Sequence, residues 1–323
     1  MDCRDYMKSD FFKNKDIFYA TLGGSYSYGT NVETSDIDIR GVCYNTRNSL
    51  IGIEPDFEQY ETATEDSVLF SFKKFIKLLI DNNPNILELV GTRKEDCYCA
   101  HPLAEELREK RRMFISKKSV YKFNGYANAQ LRRLQATLAR DYPKAEKEEH
   151  ILQSVTHALA VMEESFKGGV KPYITEEEIK VDVDIKGMPL RDFRANINAM
   201  TSIINEYDKI NSRNKKKDDL HLNKHIMHLC RLKYTLLDIL KEYDIITYRP
   251  ERDFLLQIRN GLFVTEDRKI VPTFYDWLEE MDCKIEEALK KTLVPDEPDY
   301  KGIQDFVIKV NNFTLEKDKV TLE

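Results

Sequence analysis

Two short groups of residues between positions 23 and 40 have the types and spacing that chemistry requires. Gly23-Gly24-Ser25 ends an apolar run, Ile17 to Leu22, and Asp36-Ile37-Asp38-Ile39 follows after a further ten residues. The second group reads as a strand. Side chains alternate along a strand, so Asp36 and Asp38 project from one face while Ile37 and Ile39 bury on the other. Neighbouring carboxylates repel each other in a dry site, and a divalent cation relieves that repulsion. Mg²⁺ prefers carboxylate and phosphate oxygens. The glycines upstream let backbone amides approach a triphosphate, and a helix starting there would aim N–H groups at the anion. A lone Asp-x-Asp is usually a solvated strand edge, and a lone Gly-Gly-Ser a turn. Joined in this order between two apolar strands, they read as a phosphate and metal site.

The elements that must position these groups are legible from periodicity. Residues 17 to 22 and 36 to 44 read as strands, as do Gln59 to Thr64 and Asp66 to Phe72, while 45 to 58 holds turn formers. From Phe72 the period becomes helical, with Phe75, Ile76, Leu79 and Ile80 in register. Asn83-Pro84 interrupts this helix, since proline lacks a donor and restricts the residue before it. Further helices are expected over 103–113, 118–141, 146–166, 191–211, 219–242, 251–259 and 274–291. An insertion over 172–190 carries a short strand at Val181 and Val183, and an apolar segment runs from Ile303 to Val310. The expected class is α+β: a mixed-sheet catalytic domain over 1–115 and a larger, mostly helical domain over 116–323.

Composition narrows the setting. The 323 residues are 33% charged with a net charge of −6, and no stretch reaches membrane-spanning length. The N-terminus resembles neither a signal nor a transit peptide, and the six cysteines form no zinc pattern, so a cytoplasmic protein with reduced thiols is expected. The acidic balance argues against a general nucleic-acid coat but leaves room for a local basic patch.

Gly-Ser followed by Asp-x-Asp at this distance is the signature of the nucleotidyltransferase superfamily that includes DNA polymerase beta. Longer strings are more specific. G-G-S-Y-S-Y-G-T-N-V-E-T-S-D-I-D-I-R-G-V, F-S-F-K-K-F-I-K-L-L and N-N-P-N-I-L-E-L resemble the RNA-ligase-associated polymerase-beta-like family (RlaP). Phe123 to Leu131, Lys224 to Leu232 and Ile258-Arg259-Asn260-Gly261 resemble its helical half. The resemblance implies metal-dependent transfer of a nucleoside monophosphate from an NTP, ATP among them, to a hydroxyl. An RNA 3′ end in RNA repair is the favoured acceptor. A protein hydroxyl is the alternative, and a catalytically inactive nucleotide- or nucleic-acid-binding module is a third reading.

Such transfer needs an activated hydroxyl, an aligned α-phosphorus and a neutralised pyrophosphate, which two Mg²⁺ or Mn²⁺ ions on three carboxylates can supply. Asp36 and Asp38 provide two. Asp66, opening the next strand, is the preferred third, with Glu61 and Glu65 as rivals. Ser25 is expected to contact the β- or γ-phosphate, Gly24 to permit close approach, and Thr30 to order the loop. Arg40 alternates onto the aspartate face, where it can pair with them or meet substrate, and Lys73 starts the following helix. His221, His225 and His228 share one helical face, which more often packs than binds metal. His228 and Arg231 are expected to reach the nucleotide. Lys122, Tyr126, Arg132 and Arg133, part of a basic and aromatic stretch, are expected to hold the acceptor.

Overall fold

The computed structural model describes residues 11–62 (position 14 apart), 66–139, 219–266 and 269–320, with short segments between 170 and 201. The backbone divides into two compact units. One comprises Met1–Ala129, Ile226–Phe263 and Val271–Glu323, the other Gln130–His225 and Val264–Ile270.

The first unit is built on a five-stranded mixed sheet: β1 (Ile17–Leu22), β2 (Ile39–Cys43), β3 (Gln59–Thr62), β4 (Ser67–Ser71) and β5 (Cys97–Ala100). The order is β3-β4-β2-β1-β5, and β2 and β4 run parallel while the other neighbours are antiparallel. Helices α1 (Gly24–Tyr28), α2 (Arg47–Ile51), α3 (Phe72–Ile80) and α4 (Pro84–Val90) are threaded between the strands. A mixed sheet with a long helical remainder is the α+β class expected.

Every residue from Phe18 to Leu22 is buried, so both faces of β1 are covered. Phe12, Ile39, Cys43 and Leu69 form one cluster, against which Ile37, Phe57 and Tyr98 pack. In a second set, Phe18 meets Tyr44 and Phe72 edge-on, each at 5.2 Å. The C-terminal helix Tyr300–Val320 closes over these rings, with Phe313 5.8 Å from Tyr44 and Phe306 6.5 Å from Phe72. That helix is longer than the expected segment 303–310, and it serves the sheet. The switch from strand to helix at Phe72 is made by Ser71, whose hydroxyl accepts the Lys74 amide at 3.2 Å. Phe72, Phe75, Ile76 and Leu79 then turn inward. Asn83 caps α4 and Pro84 opens it, as the proline requires.

Later helices fall at Pro102–Glu109, Lys118–Ala139, Asp219–Glu242, Arg252–Arg259 and Pro272–Lys291. The first is shorter than expected because a 3₁₀ turn, Arg111–Phe114, takes over its last residues. Several elements are not legible from the sequence, among them the strand Val170–Ile174. β5 is a four-residue edge strand, C-Y-C-A, too short to show alternation, and α2 sits in the stretch of turn formers, capped by Thr46. The expected helix 146–166 lies outside the described residues, as does most of 191–211.

In the second unit, β6 (Val170–Ile174) and β7 (Ile179–Val183) pair antiparallel, with Val181 and Val183 on the strand expected there. Among the described residues, no helix is long and apolar enough to cross a membrane.

Candidate active site

Parallel pairing brings two of the carboxylates together. Ile39 of β2 stands opposite Ser67 of β4, so the residues just before them, Asp38 and Asp66, arrive at the same edge of the sheet. Arg40 joins them. Its Nη2 donates to Asp38 Oδ1 at 2.9 Å and to Asp66 Oδ1 at 3.4 Å, and its Nη1 donates to the Asp66 carbonyl at 2.5 Å. Asp66 has a φ of 42°, a left-handed conformation that aspartate tolerates better than most residues. Its side chain is 60% exposed. Burial pushes the Asp38 carboxyl up; Arg40 pulls it down, while Asp66 and Asp36 push it further up, to about 6.

The expected strand over Asp36–Ile39 begins only at Ile39. The physical reason is that Ile39 pairs with Leu22 and β1 ends there, so residues 36–38 have no ladder neighbour. Their link to the upstream turn is a different one: the Gly23 amide donates to the Asp38 carbonyl at 2.8 Å. The alternation survives, with Ile37 against the core cluster, Ile39 buried, Asp36 exposed and Asp38 half-buried.

The turn lies directly against the carboxylate. Gly24 has a φ of +56°, and a Cβ there would stand 1.8 Å from Asp38 Oδ2. Both facts require glycine. Ser25 is half-buried in α1, which ends at Gly29 in a left-handed cap. Thr30 is fully buried, its amide donates to the Ser25 carbonyl at 2.9 Å, and its Oγ1 has no hydrogen-bond partner among the described residues. Gly24, Ser25, Asp38, Arg40 and Asp66 thus form one locality, with Thr30 anchored to the back of the turn.

Other expected residues are engaged elsewhere. Arg231 is 5% exposed, ion-paired with Glu88, and stacked 3.8 Å over the Tyr28 ring. Tyr28 itself donates to Glu88 at 2.8 Å. Arg231 therefore supports α1 from behind. Lys73 pairs with Asp56 at 2.9 Å, and its amide donates to Asn45. His228 is half-buried on the helix that carries Arg231. Lys122 pairs with Asp81 at 2.6 Å, and Asn83 donates to the Tyr126 hydroxyl at 3.1 Å, so both meet the link between α3 and α4. Arg132 and Arg133 belong to the helix Lys118–Ala139, and their side chains lie outside the described residues, as does Glu65. Glu61 is exposed on the outer strand β3, opposite Val68.

Sequence reasoning misses the grip on this turn from residues far downstream. The Arg249 amide donates to the Tyr28 carbonyl at 3.1 Å. The Tyr248 ring fills the space beside Gly29, where a Cβ would lie 2.6 Å from Cε2. Arg259 bonds to the Thr30 carbonyl. Glu88 and Arg259 both stand in strings that carry the resemblance, but no spacing along the chain shows what they touch.

Among the described residues, no three His, Cys, Asp or Glu side chains form a ready-made metal site. Asp36 is exposed, and Arg40 occupies the carboxylates of Asp38 and Asp66. The donor chemistry nonetheless fits a hard divalent cation: oxygen ligands only, with a half-buried carboxylate whose pKa is raised first by burial and then by its like-charged neighbours.

The model of the RNA repair pathway DNA polymerase beta family (RlaP) matches residues 7–179, more than half of the chain. The chain belongs to this family. Searches of curated proteins and of solved structures return no significant match. The match takes in the Gly-Gly-Ser turn, all three aspartates and Arg40, so the locality described above lies wholly within the RlaP-matching part.

Proposed function

We propose that the protein is a metal-dependent nucleotidyltransferase that moves a nucleoside monophosphate from an NTP to the 3′ hydroxyl of RNA. The observation that carries this reading is the meeting of Gly24, Asp38 and Asp66 at one sheet edge, in a chain of the RNA repair polymerase-beta family. Asp36, Asp38 and Asp66 would hold Mg²⁺ or Mn²⁺, which when bound lowers the pKa of the attacking hydroxyl and neutralises the departing pyrophosphate. The chain's own residues do the remainder. Ser25 and the amides of its turn orient the β- and γ-phosphates, and Gly24 keeps the turn close to Asp38. Arg40 holds Asp38 and Asp66 together and supplies positive charge beside the phosphates. Thr30 fixes the loop. Arg231 acts through Tyr28, and His228 contributes on the nucleotide side; Lys73 stays with Asp56.

By this reading, residues 1–115 carry the chemistry and 116–323 supply the acceptor contacts, among them Tyr126, Arg132 and Arg133, while Lys122 stays with Asp81. Incubation with each α-³²P-labelled NTP, Mg²⁺ or Mn²⁺, total RNA and a protein extract tests it. Label is expected in RNA from one preferred NTP. Label in a protein band would transfer the reading to protein nucleotidylation. Nucleotide binding without turnover on any acceptor would reduce it to a binding module.

A further inference from the structure

The loop that leads to the catalytic aspartates is held by a residue more than two hundred positions downstream. Arg259, the last residue of the helix Arg252–Arg259, is buried. Its Nη1 donates to the Thr30 carbonyl at 2.7 Å and its Nη2 to Ser35 Oγ at 3.4 Å. Ser35 Oγ also accepts the Val32 amide at 2.9 Å, and the Ser35 amide donates to the Val32 carbonyl at 2.9 Å. One guanidinium therefore spans the two ends of the loop 30–35, and Asp36 is the next residue.

The charge of Arg259 sets it apart from the other buried arginines. Arg231 pairs with Glu88, and Arg249 with Asp238 and Glu251. Among the described residues, Arg259 pairs with no carboxylate, and burial with no charged neighbour pushes its pKa down. Burying an unpaired guanidinium is unfavourable. Its position in the last turn of a helix, where the backbone carbonyls carry partial negative charge, offsets part of that penalty. An apolar side chain of similar length would carry no cost of burying a charge. What the guanidinium provides, and no apolar chain can, is the planar fork that reaches Thr30 and Ser35 at once.

We infer that Arg259 is a positioning residue for nucleotidyl transfer: by holding Thr30 and Ser35 together it sets the loop that delivers Asp36 and Asp38 to the Gly23-Gly24-Ser25 turn. The kinetic part of this inference rests on the proposed activity; the structural part does not.

Two variants, Arg259→Met and Arg259→Lys, test it through amide hydrogen exchange of residues 30–38, thermal melting, and kcat and KM for the NTP. Arg259→Met is expected to melt within a few degrees of wild type. Exchange over 30–38 should rise at least about tenfold, against little change elsewhere. Its kcat should fall at least about tenfold with KM altered less than about threefold, because the defect lies in placement of the aspartates and not in phosphate binding. Arg259→Lys keeps the charge but reaches one acceptor, so it should fall between the two in both readouts. Unchanged exchange over 30–38 in Arg259→Met overturns the inference, as does a uniform rise across the chain with a large fall in melting temperature, the mark of a merely structural residue. Should Arg259→Met not fold, Arg259→Lys decides alone, since loop exchange must then exceed wild type. If wild type transfers no nucleotide, the exchange result still stands or falls by itself, and only the nucleotidyltransferase reading is lost.

Discussion

Charge is handled in opposite ways at the sheet edge where Asp38 and Asp66 meet and on the start of the helix Lys118–Ala139. At the edge, Asp38 and Asp66 share the guanidinium of Arg40, and burial, with added repulsion from Asp66 and Asp36, pushes the Asp38 carboxyl up to about 6. On the helix, Lys118 pairs with Glu297 and Lys122 with Asp81, each at 2.6 Å, and Lys117 just before it pairs with Asp296 at 2.8 Å. The first region holds negative charge that its surroundings do not cancel. The second has already matched each of these lysines with a carboxylate. Unmatched charge is what a ligand can relieve, so the contrast supports the proposed site at the sheet edge and leaves this stretch of helix with little affinity of its own for phosphate.

The strongest way to break that contrast is to remove the unmatched charge. Asp38→Asn should lower nucleotidyl transfer below about a thousandth of wild type, ~4 kcal/mol of barrier, with the fold intact. Asp36→Asn should behave similarly, and the double variant little worse than either alone, because groups that serve one site act as a unit. Single-turnover assays on variants with wild-type circular dichroism would check this. Activity within about tenfold of wild type would contradict it.

A second prediction separates crowding from charge. Gly24→Ala leaves every carboxylate in place but inserts a methyl where Asp38 Oδ2 lies and strains a left-handed backbone. Displacement of the carboxylate by about 1 Å predicts a fall of ~10²-fold in kcat. An unchanged kcat would show that the close approach of turn and carboxylate has no part in catalysis.

The third concerns stability behind the site. Arg231→Met strands Glu88 in a buried position, with the Tyr28 hydroxyl left as its side-chain partner among the described residues. Breaking one half of a buried ion pair costs ~3–5 kcal/mol, measurable in urea denaturation. Replacing both residues with leucine should recover most of the loss, since the pair as a whole contributes little against apolar packing. If the single variant unfolds at the wild-type urea concentration, the pair is not what anchors α1.

The smallest effects belong to the basic helix. Lys122→Ala should change acceptor affinity little and stability by less than ~1 kcal/mol, the worth of an exposed pair. Arg132 and Arg133 are the proposed acceptor contacts. Replacing both should flatten the salt dependence of acceptor binding by a slope of ~0.7 for each phosphate no longer neutralised, leaving NTP affinity as it was. A larger effect from Lys122→Ala than from the arginine pair would reverse the contrast on this helix.

The parts of the site legible in the sequence are those written along a few neighbouring residues. The Gly-Gly-Ser turn, the alternation of Asp36, Ile37, Asp38 and Ile39, and the change of period at Phe72 all depend on local geometry. Asp66 is readable as the residue opening a strand, but its meeting with Asp38 depends on parallel pairing, which sequence spacing does not reveal. Arg231 shows the converse. A cation on that helical face suits phosphate, which makes it read as a nucleotide contact, yet Glu88, far away in sequence, claims it. Lys122 and Asp81 repeat the lesson on the surface. The helix Asp219–Glu242 is legible because apolar residues recur along it at helical spacing, whereas the four-residue β5 offers no period to find.

Transfer is proposed to occur where Asp38 and Asp66 meet, and one comparison tests this most directly: incorporation of label from α-³²P-NTP into RNA, in Mg²⁺, by wild type, Asp66→Asn and Glu61→Gln. Asp66 stands at the shared edge, and Glu61 is exposed on the neighbouring outer strand. Wild type and Glu61→Gln should label RNA at rates within about threefold of each other, and Asp66→Asn should lose at least about a hundredfold. Full activity in Asp66→Asn together with its loss in Glu61→Gln would contradict the account, and would move the third carboxylate, and the site with it, onto β3.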